Sequence, residues 1–366
     1  PITQEKVMEL PTQSKKLFIG IPKETSFQEN RVALTPESVA VLVNNGHKVV
    51  IETKAGENSS FTDRDYSEAG AQIVYDIAEV YQADIIIKVA PLSLEEVKMT
   101  KYNQTVFSAL HLPTLETEYL NHLIEKKVSA IAYEYIKDEY GRFPIVRAIS
   151  EIAGSAAILI GAEYLSNTNN GQGILLGGIA GVPPARVVIL GAGAVGEYAT
   201  RTALGLGAEV RVFDNSIYKL MRLQNNVNAR VYTSIINPAL LSSELSKADL
   251  VVGAIHSELG RTPIIVTEEM VSHMKPGSVI VDVSIDQGGC FETSKITNHK
   301  NPTFRMFDVI HYCVPNIASR VSKTASSALS HVLIPILHRA QKHANFDLFM
   351  LNNIGMRNGI YLYKGH

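Results

Sequence analysis

Three ionisable side chains stand at or shortly beyond the ends of apolar runs that read as strands. Arg31 lies in the loop after Leu17-Phe18-Ile19-Gly20-Ile21, Lys88 directly follows Ala83-Asp84-Ile85-Ile86-Ile87, and His111 follows Val106-Phe107-Ser108-Ala109-Leu110. In a parallel sheet such strand ends open on one crevice, so residues distant in sequence can share a site. Arg offers a fixed fork to a carboxylate, Lys can polarise a developing carbonyl, and His, with an unperturbed pKa of ~6.5, can take up and return a proton. Singly, a loop Arg is an ordinary solvated charge, and one His among 11 is an ordinary structural residue. A charge closing a buried strand needs a reason, and three of them at three strand ends suggest chemistry beside a carboxylate.

A second constellation lies downstream. Val187-Val188-Ile189-Leu190 runs into Gly191-Ala192-Gly193-Ala194-Val195-Gly196, which reads as strand, tight turn and first helical turn. Gly191 permits the turn, Gly193 lets a pyrophosphate approach the backbone, and Gly196 lets helix and strand pack closely. The helix N-terminus, with Ala194 and Val195 in its first turn, offers N–H groups and a positive dipole end to that pyrophosphate. The next strand, Ala208 to Phe213, ends in Asp214, 23 residues after Gly191. That matches the ~20-residue spacing of the acid that binds the adenosine ribose, and a carboxylate there favours NAD over NADP.

The remaining elements must hold these two sets. Thr35 is placed to cap a helix with Pro36 at its first position. Further strands are expected at His47 to Glu52, Ser129 to Glu134, Asp249 to Gly253 and Ser278 to Val283. A helix opening at Ser150 is expected to lead toward the nucleotide half, with the crossing in the Asn/Gly-rich stretch 167–181. Thr267 starts a short helix that Pro276-Gly277 stops, and a long helix from Ala318 to about Ala344, kinked at Pro335, runs back to the first half. Strands alternating with helices predict an α/β chain with two doubly wound, Rossmann-like domains joined by long helices. The substrate domain is expected over 1–144 and 322–366, and the NAD-binding domain over 145–321.

Composition narrows the classes. With 366 residues the chain can bury two cores, and 34 Lys+Arg against 36 Asp+Glu without long runs argues against nucleic acid or anionic lipid as the partner. Cys290 and Cys313 make no disulfide framework and no metal-ligand spacing. The polar stretch 1–16 lacks the apolar core of a signal peptide, and the most apolar region, Gly173 to Val195, is broken by Pro183, Pro184 and Arg186. A soluble, cytoplasmic protein with no membrane partner is the expectation.

Several segments together are more specific. Glu29-Asn30-Arg31-Val32-Ala33-Leu34-Thr35-Pro36, Ile87-Lys88-Val89, Leu110-His111-Leu112, Ala132-Tyr133-Glu134, Ser150-Glu151-Ile152-Ala153-Gly154, the stretch Val281 to Cys290 and the stretch Val309 to Asn316 resemble the alanine dehydrogenase family. That family also holds the NAD-binding soluble part of proton-translocating transhydrogenase. The resemblance covers about residues 17–345. It implies NAD-dependent, reversible oxidative deamination of L-alanine to pyruvate and ammonia, and typically a homo-hexamer. It further implies that Arg31 and Lys88 hold the substrate, His111 exchanges protons, and Asp286 sits by the nicotinamide ribose and the substrate. Ser150 and Asn316 would line the cofactor cleft. Two departures stand out: Ala254-Ile255-His256-Ser257-Glu258-Leu259-Gly260 replaces the family's aliphatic-Pro-Gly loop, and Ile149 replaces its Met. His256 and His311 read as loop or structural residues. A transhydrogenase component passing hydride to a partner's NADP, or a non-catalytic NAD sensor, are the competing readings.

Overall fold

The computed structural model describes residues 16–110, 117–257, 260–341 and 346–366. The chain forms two compact units, Pro1–Ala148 with Ser322–His366, and Ile149–Val321. The first unit holds β1 (Phe18–Ile21), β2 (Lys48–Glu52), β3 (Gln72–Val74), β4 (Ile85–Ile87), β5 (Thr105–Ser108) and β6 (Ser129–Ala132). The second holds β7 (Arg186–Leu190), β8 (Glu209–Phe213), β9 (Tyr232–Ser234), β10 (Leu250–Gly253), β11 (Val279–Asp282), β12 (Thr303–Met306) and β13 (Val309–Tyr312). The last strand, β14 (Ile360–Leu362), returns to the first unit.

The strand orders are β14-β6-β5-β4-β1-β2-β3 and β12-β13-β11-β10-β7-β8-β9. Every pairing is parallel except those of the edge strands β14 and β12. Both sheets therefore reverse direction beside their first strand, between β1 and β4 and between β7 and β10, which is where doubly wound sheets bind ligands. The expectation of two Rossmann-like α/β domains holds.

Side chains alternate between two cores in each sheet, as they must when helices cover both faces. In the first unit Ile19, Ile51, Ile85 and Phe107 pack with Leu329, Leu333 and Leu337 of the helix Ser322–Gln341, while Val50, Ile86 and Val106 face the other layer. In the second, Val187, Ile189, Val252 and Val281 pack with Ala153, Ala157 and Ile160, and Val188, Leu190, Val251 and Ile280 form the opposite layer.

Several elements differ from expectation. The helix containing Ser150 begins at Pro144 and runs to Tyr164, so the chain changes unit inside it and not in the stretch 167–181. Pro144 supplies a preset φ at the helix start. Among the described residues this is the one helix long and apolar enough to cross a membrane, yet Ala153, Ala156, Ala157, Ile158 and Ile160 are buried in the second unit's core. The short strands β3 and β9 and the hairpin β12–β13 were not anticipated. That hairpin turns on Phe307 and Asp308, with φ of 52° and 58°, a backbone usually signalled by Asn-Gly. On β13, His311 is fully buried: its Nδ1 lies 3.0 Å from the Val309 carbonyl, its Nε2 lies 2.8 Å from Thr293 Oγ1, and its ring stacks on Phe304.

Candidate active site

In the first unit, Lys88 leaves β4 with its side chain wholly buried. An ammonium in that position requires partners. Lys88 Nζ donates to both oxygens of Glu96, at 2.9 and 2.8 Å, and lies 3.7 Å from Glu24 Oε2. Glu96 is held in turn by a local device: Ser93 and Glu96 form a capping box at the start of the helix Leu94–Met99, and Glu96 Oε2 accepts from Ser93 N at 2.6 Å. One carboxylate thus caps a helix and neutralises Lys88.

Glu24 lies beyond the end of β1 and reaches across to the end of β4. Its carboxylate accepts from Val89 N at 2.6 Å and Ala90 N at 3.3 Å. Burial pushes its pKa up to about 7, against the opposing pull of Lys88. Arg31, 11% exposed, is gripped by Glu29: Nε and Nη2 donate at 2.8 and 2.6 Å. Burial disfavours its charge, but the Glu29 carboxylate more than offsets this and holds the guanidinium above its ordinary range. Two of its five N–H groups are taken this way, leaving the far edge of the fork for a second carboxylate. Tyr133, whose hydroxyl donates to the Val89 carbonyl, is pushed upward by burial while Arg31 pulls it down. Arg31 and Lys88 therefore share Glu24 as a neighbour, and Tyr133 lies beside Arg31 and the residue after Lys88. His111 lies outside the described residues; just before it, Leu110 N donates to Glu134 Oε1 at 3.0 Å.

In the second unit the glycine turn has the shape its sequence suggests. Gly191 has φ of +109°, and a Cβ there would stand 2.3 Å from the Ala254 carbonyl oxygen. At Gly196 a Cβ would meet the Gly191 carbonyl oxygen at 1.8 Å, so only glycine lets the helix Ala194–Gly205 approach β7. Gly193 is different, because a Cβ there would project into open space. A cavity of about 190 Å³ occupies that side, lined by residues including Gly191, Gly193, Asp214, Lys219, Ala254 and His256. Asp214 is nearly buried, its two oxygens accepting from Ala192 N and Ser216 N, each at 2.7 Å. The carboxylate is thereby locked beside the turn, with lone pairs left for ribose hydroxyls. Ser150 lies one helical turn before Gly154, whose close packing on Val195 and Ala199 brings that helix face to the start of the glycine-turn helix.

Asp286 and Asn316 are brought together: Asn316 N, from a residue with φ of +55°, donates to Asp286 Oδ1 at 3.0 Å. The neighbouring Gln287 accepts from Ser257 N at 3.0 Å and donates to the Ser257 carbonyl at 2.9 Å, so it tethers the atypical loop after β10. Asp282, buried under the turn, accepts from Ser284 N, Cys290 N and Ser294 Oγ, and burial raises its pKa. The cavity, the open space at Gly193 and the locked Asp214 fit a dinucleotide.

Sequence reasoning missed Glu24, Glu29, Glu96 and Tyr133. Only Ser93-x-x-Glu96 carries a local signature, and it signals a cap, not an ion pair. His256, read as a loop residue, lines the cavity.

Comparison with known proteins concerns the chain as a whole. The family models "Alanine dehydrogenase/PNT, N-terminal domain" and "Alanine dehydrogenase/PNT, C-terminal domain" match residues 20–153 and 157–366. An alanine dehydrogenase of Staphylococcus epidermidis is 41% identical over 349 residues, covering 95% of this chain and 94% of that one. A solved L-alanine dehydrogenase superposes with a TM-score of 0.90 at 37% identity, covering 95% of this chain and 96% of that one. A solved transhydrogenase from Sinorhizobium meliloti gives 0.82 at 25% identity, covering 95% and 98%. With both family models matched in order along the chain, and relatives this similar aligned nearly end to end, the protein belongs to the alanine dehydrogenase/PNT family.

Proposed function

We propose that the protein is an NAD-dependent alanine dehydrogenase, catalysing the reversible oxidative deamination of L-alanine to pyruvate and ammonia. The observation that carries this reading is Lys88: a fully buried ammonium at a sheet's switch point, tied to Glu96 and sharing Glu24 as a neighbour with an Arg fork. Taking two cations out of water costs roughly several kcal/mol per ion, which their pairing with Glu96 and Glu29 offsets only in part. A protein that only passes hydride between nucleotides has no need of that expense.

NAD would be held by the glycine turn, with Gly191, Gly193, Ala194 and Val195 at its pyrophosphate, Asp214 at the adenosine ribose, and Ser150, Asp286 and Asn316 at the nicotinamide end. When bound, it accepts the hydride from the substrate's Cα. Arg31 binds the substrate carboxylate by the donors that Glu29 leaves unused. Lys88, held by Glu96, faces the carbonyl or amine and favours the charge that develops on oxygen. His111 takes a proton from the attacking water and returns it as ammonia leaves. Glu134, bonded to the residue before His111, steadies that strand end.

The reading extends to a soluble, cytoplasmic homo-hexamer acting in L-alanine catabolism; the nearly balanced charge and the buried face of the Pro144–Tyr164 helix support solubility. Purified protein mixed with NAD and a panel of amino acids should form NADH and pyruvate with L-alanine. NAD binding without NADH formation from any amino acid would leave the transhydrogenase-component or sensor reading, and light scattering in the same preparation would give the subunit number.

A further inference from the structure

The ionised groups around Lys88 do not balance. Two cations, Arg31 and Lys88, face three carboxylates, Glu29, Glu96 and Glu24. Glu29 and Glu96 each grip a cation through two close contacts, so both remain charged. Glu24 is the odd one. It is 5% exposed, it stands 3.7 Å from an ammonium already satisfied by Glu96, and its closest bonds are to backbone N–H groups. Of the other groups facing it, Glu29 pushes its pKa up, and Tyr81 and Tyr133 are buried groups whose own pKa values are raised, chiefly by burial; half-buried Glu52 interacts with Lys88 and Glu96 and has Lys23 beside it as its own cation. With Glu24 ionised the cluster carries one surplus negative charge; with Glu24 protonated it is neutral. A substrate carboxylate entering such a place meets repulsion in the first state only.

We propose that Glu24 is the proton acceptor that balances the substrate site, so that binding of a 2-oxo acid at Arg31 and Lys88 draws one proton from solvent onto Glu24. This rests on the dehydrogenase reading above. The step forms an O–H bond at Glu24 Oε2, the oxygen with the longer contacts, and breaks none in the substrate. It makes binding of the anionic substrate weaken as pH rises, independently of His111. Glu24's charge also ties the ends of β1 and β4, so its ionisation state is felt directly at Lys88. Its titration falls where this matters, since burial places the carboxyl at about 7.

The test is binding of oxamate, an unreactive isostere of pyruvate, to the NADH-saturated protein by calorimetry in buffers of different ionisation enthalpy. Near pH 7.5 the wild type should take up a large fraction of a proton, and its Kd should weaken toward tenfold per pH unit well above pH 7. Glu24→Gln should bind with most of that uptake gone, Glu24→Asp should restore it, and His111→Ala should keep the share belonging to Glu24. Unchanged uptake in Glu24→Gln overturns the proposal. Should that variant not fold, infrared difference spectra of the wild type decide: a protonated-carboxyl C=O band must grow on oxamate binding, and its absence overturns the proposal. Failure of oxamate to bind the wild type at all strikes at the dehydrogenase reading instead.

Discussion

Acid should weaken the second unit through one side chain. His311 is fully buried on β13 between the Val309 carbonyl and the Thr293 hydroxyl. Nδ1 donates to the carbonyl, so Nε2 is the acceptor for Thr293 and the ring is neutral. Burial first, and nearby Lys295 to a smaller degree, bring its pKa down from 6.5 to about 4. The unfolded chain therefore binds more protons than the folded one between these values, and the stability supplied by a neutral His311 is full above pH 6.5 and lost as pH falls toward 4. At pH 5 the loss works out at about 2 kcal/mol. Wild type alone would hide it, because Glu24 has the opposite sign: raised from 4.5 to about 7, it adds stability in acid that disappears as pH rises through 7. The measurement is thus a difference. Urea unfolding of wild type and His311→Gln, followed by circular dichroism at pH 7.5 and pH 5, should show the gap between them shrinking by about 2 kcal/mol in acid. A gap constant within about 0.5 kcal/mol would refute a buried neutral imidazole. Asn316 lies five residues beyond His311, so NAD affinity should fall in the same window.

Gly193→Val should fold normally, since its side chain enters open space, yet weaken NAD binding at least tenfold; Gly196→Ala, only 1.8 Å from a carbonyl oxygen, should destabilise by about 2 kcal/mol or more. Equal effects of the two on stability would contradict the cradle assigned to Gly193. His111→Ala should keep NAD affinity and lose turnover by about 10²-fold or more, read from steady-state kinetics. Asp214→Ala should raise the KM for NAD by tenfold or more and narrow the preference over NADP; an unaltered preference would remove the ribose contact from Asp214.

What could be read from the sequence was what is written locally. The apolar run into Gly191, Gly193 and Gly196, with an acid closing the next strand, describes its own backbone, and Lys88 announces itself by ending a β-branched run. Glu24, Glu29 and Glu96 do not, because their meaning comes from cations on other strands or loops. β3 and β9 were illegible for another reason: each has three residues and a partly exposed face, too short for any period. The β12–β13 hairpin hid because Phe307 and Asp308 adopt positive φ without the usual glycine; Gly277 N and Arg305 hold the Asp308 carbonyl in place. The helix start at Pro144 lost out to Ser150-Glu151, which mimics a cap.

The first unit is written in two instalments, residues up to Ala148 and residues from Ser322 onward, with the second unit between them. Leu329, Leu333, Ile336 and Leu337 fill its core, and β14 seals its sheet edge. On the ribosome the middle unit can therefore finish first, while the opening half waits with an uncovered apolar layer until the tail emerges. A nascent chain halted after Val321 would carry a completed nucleotide fold beside an unfinished one, and chaperone capture at that stage should concentrate on β1, β4 and β5.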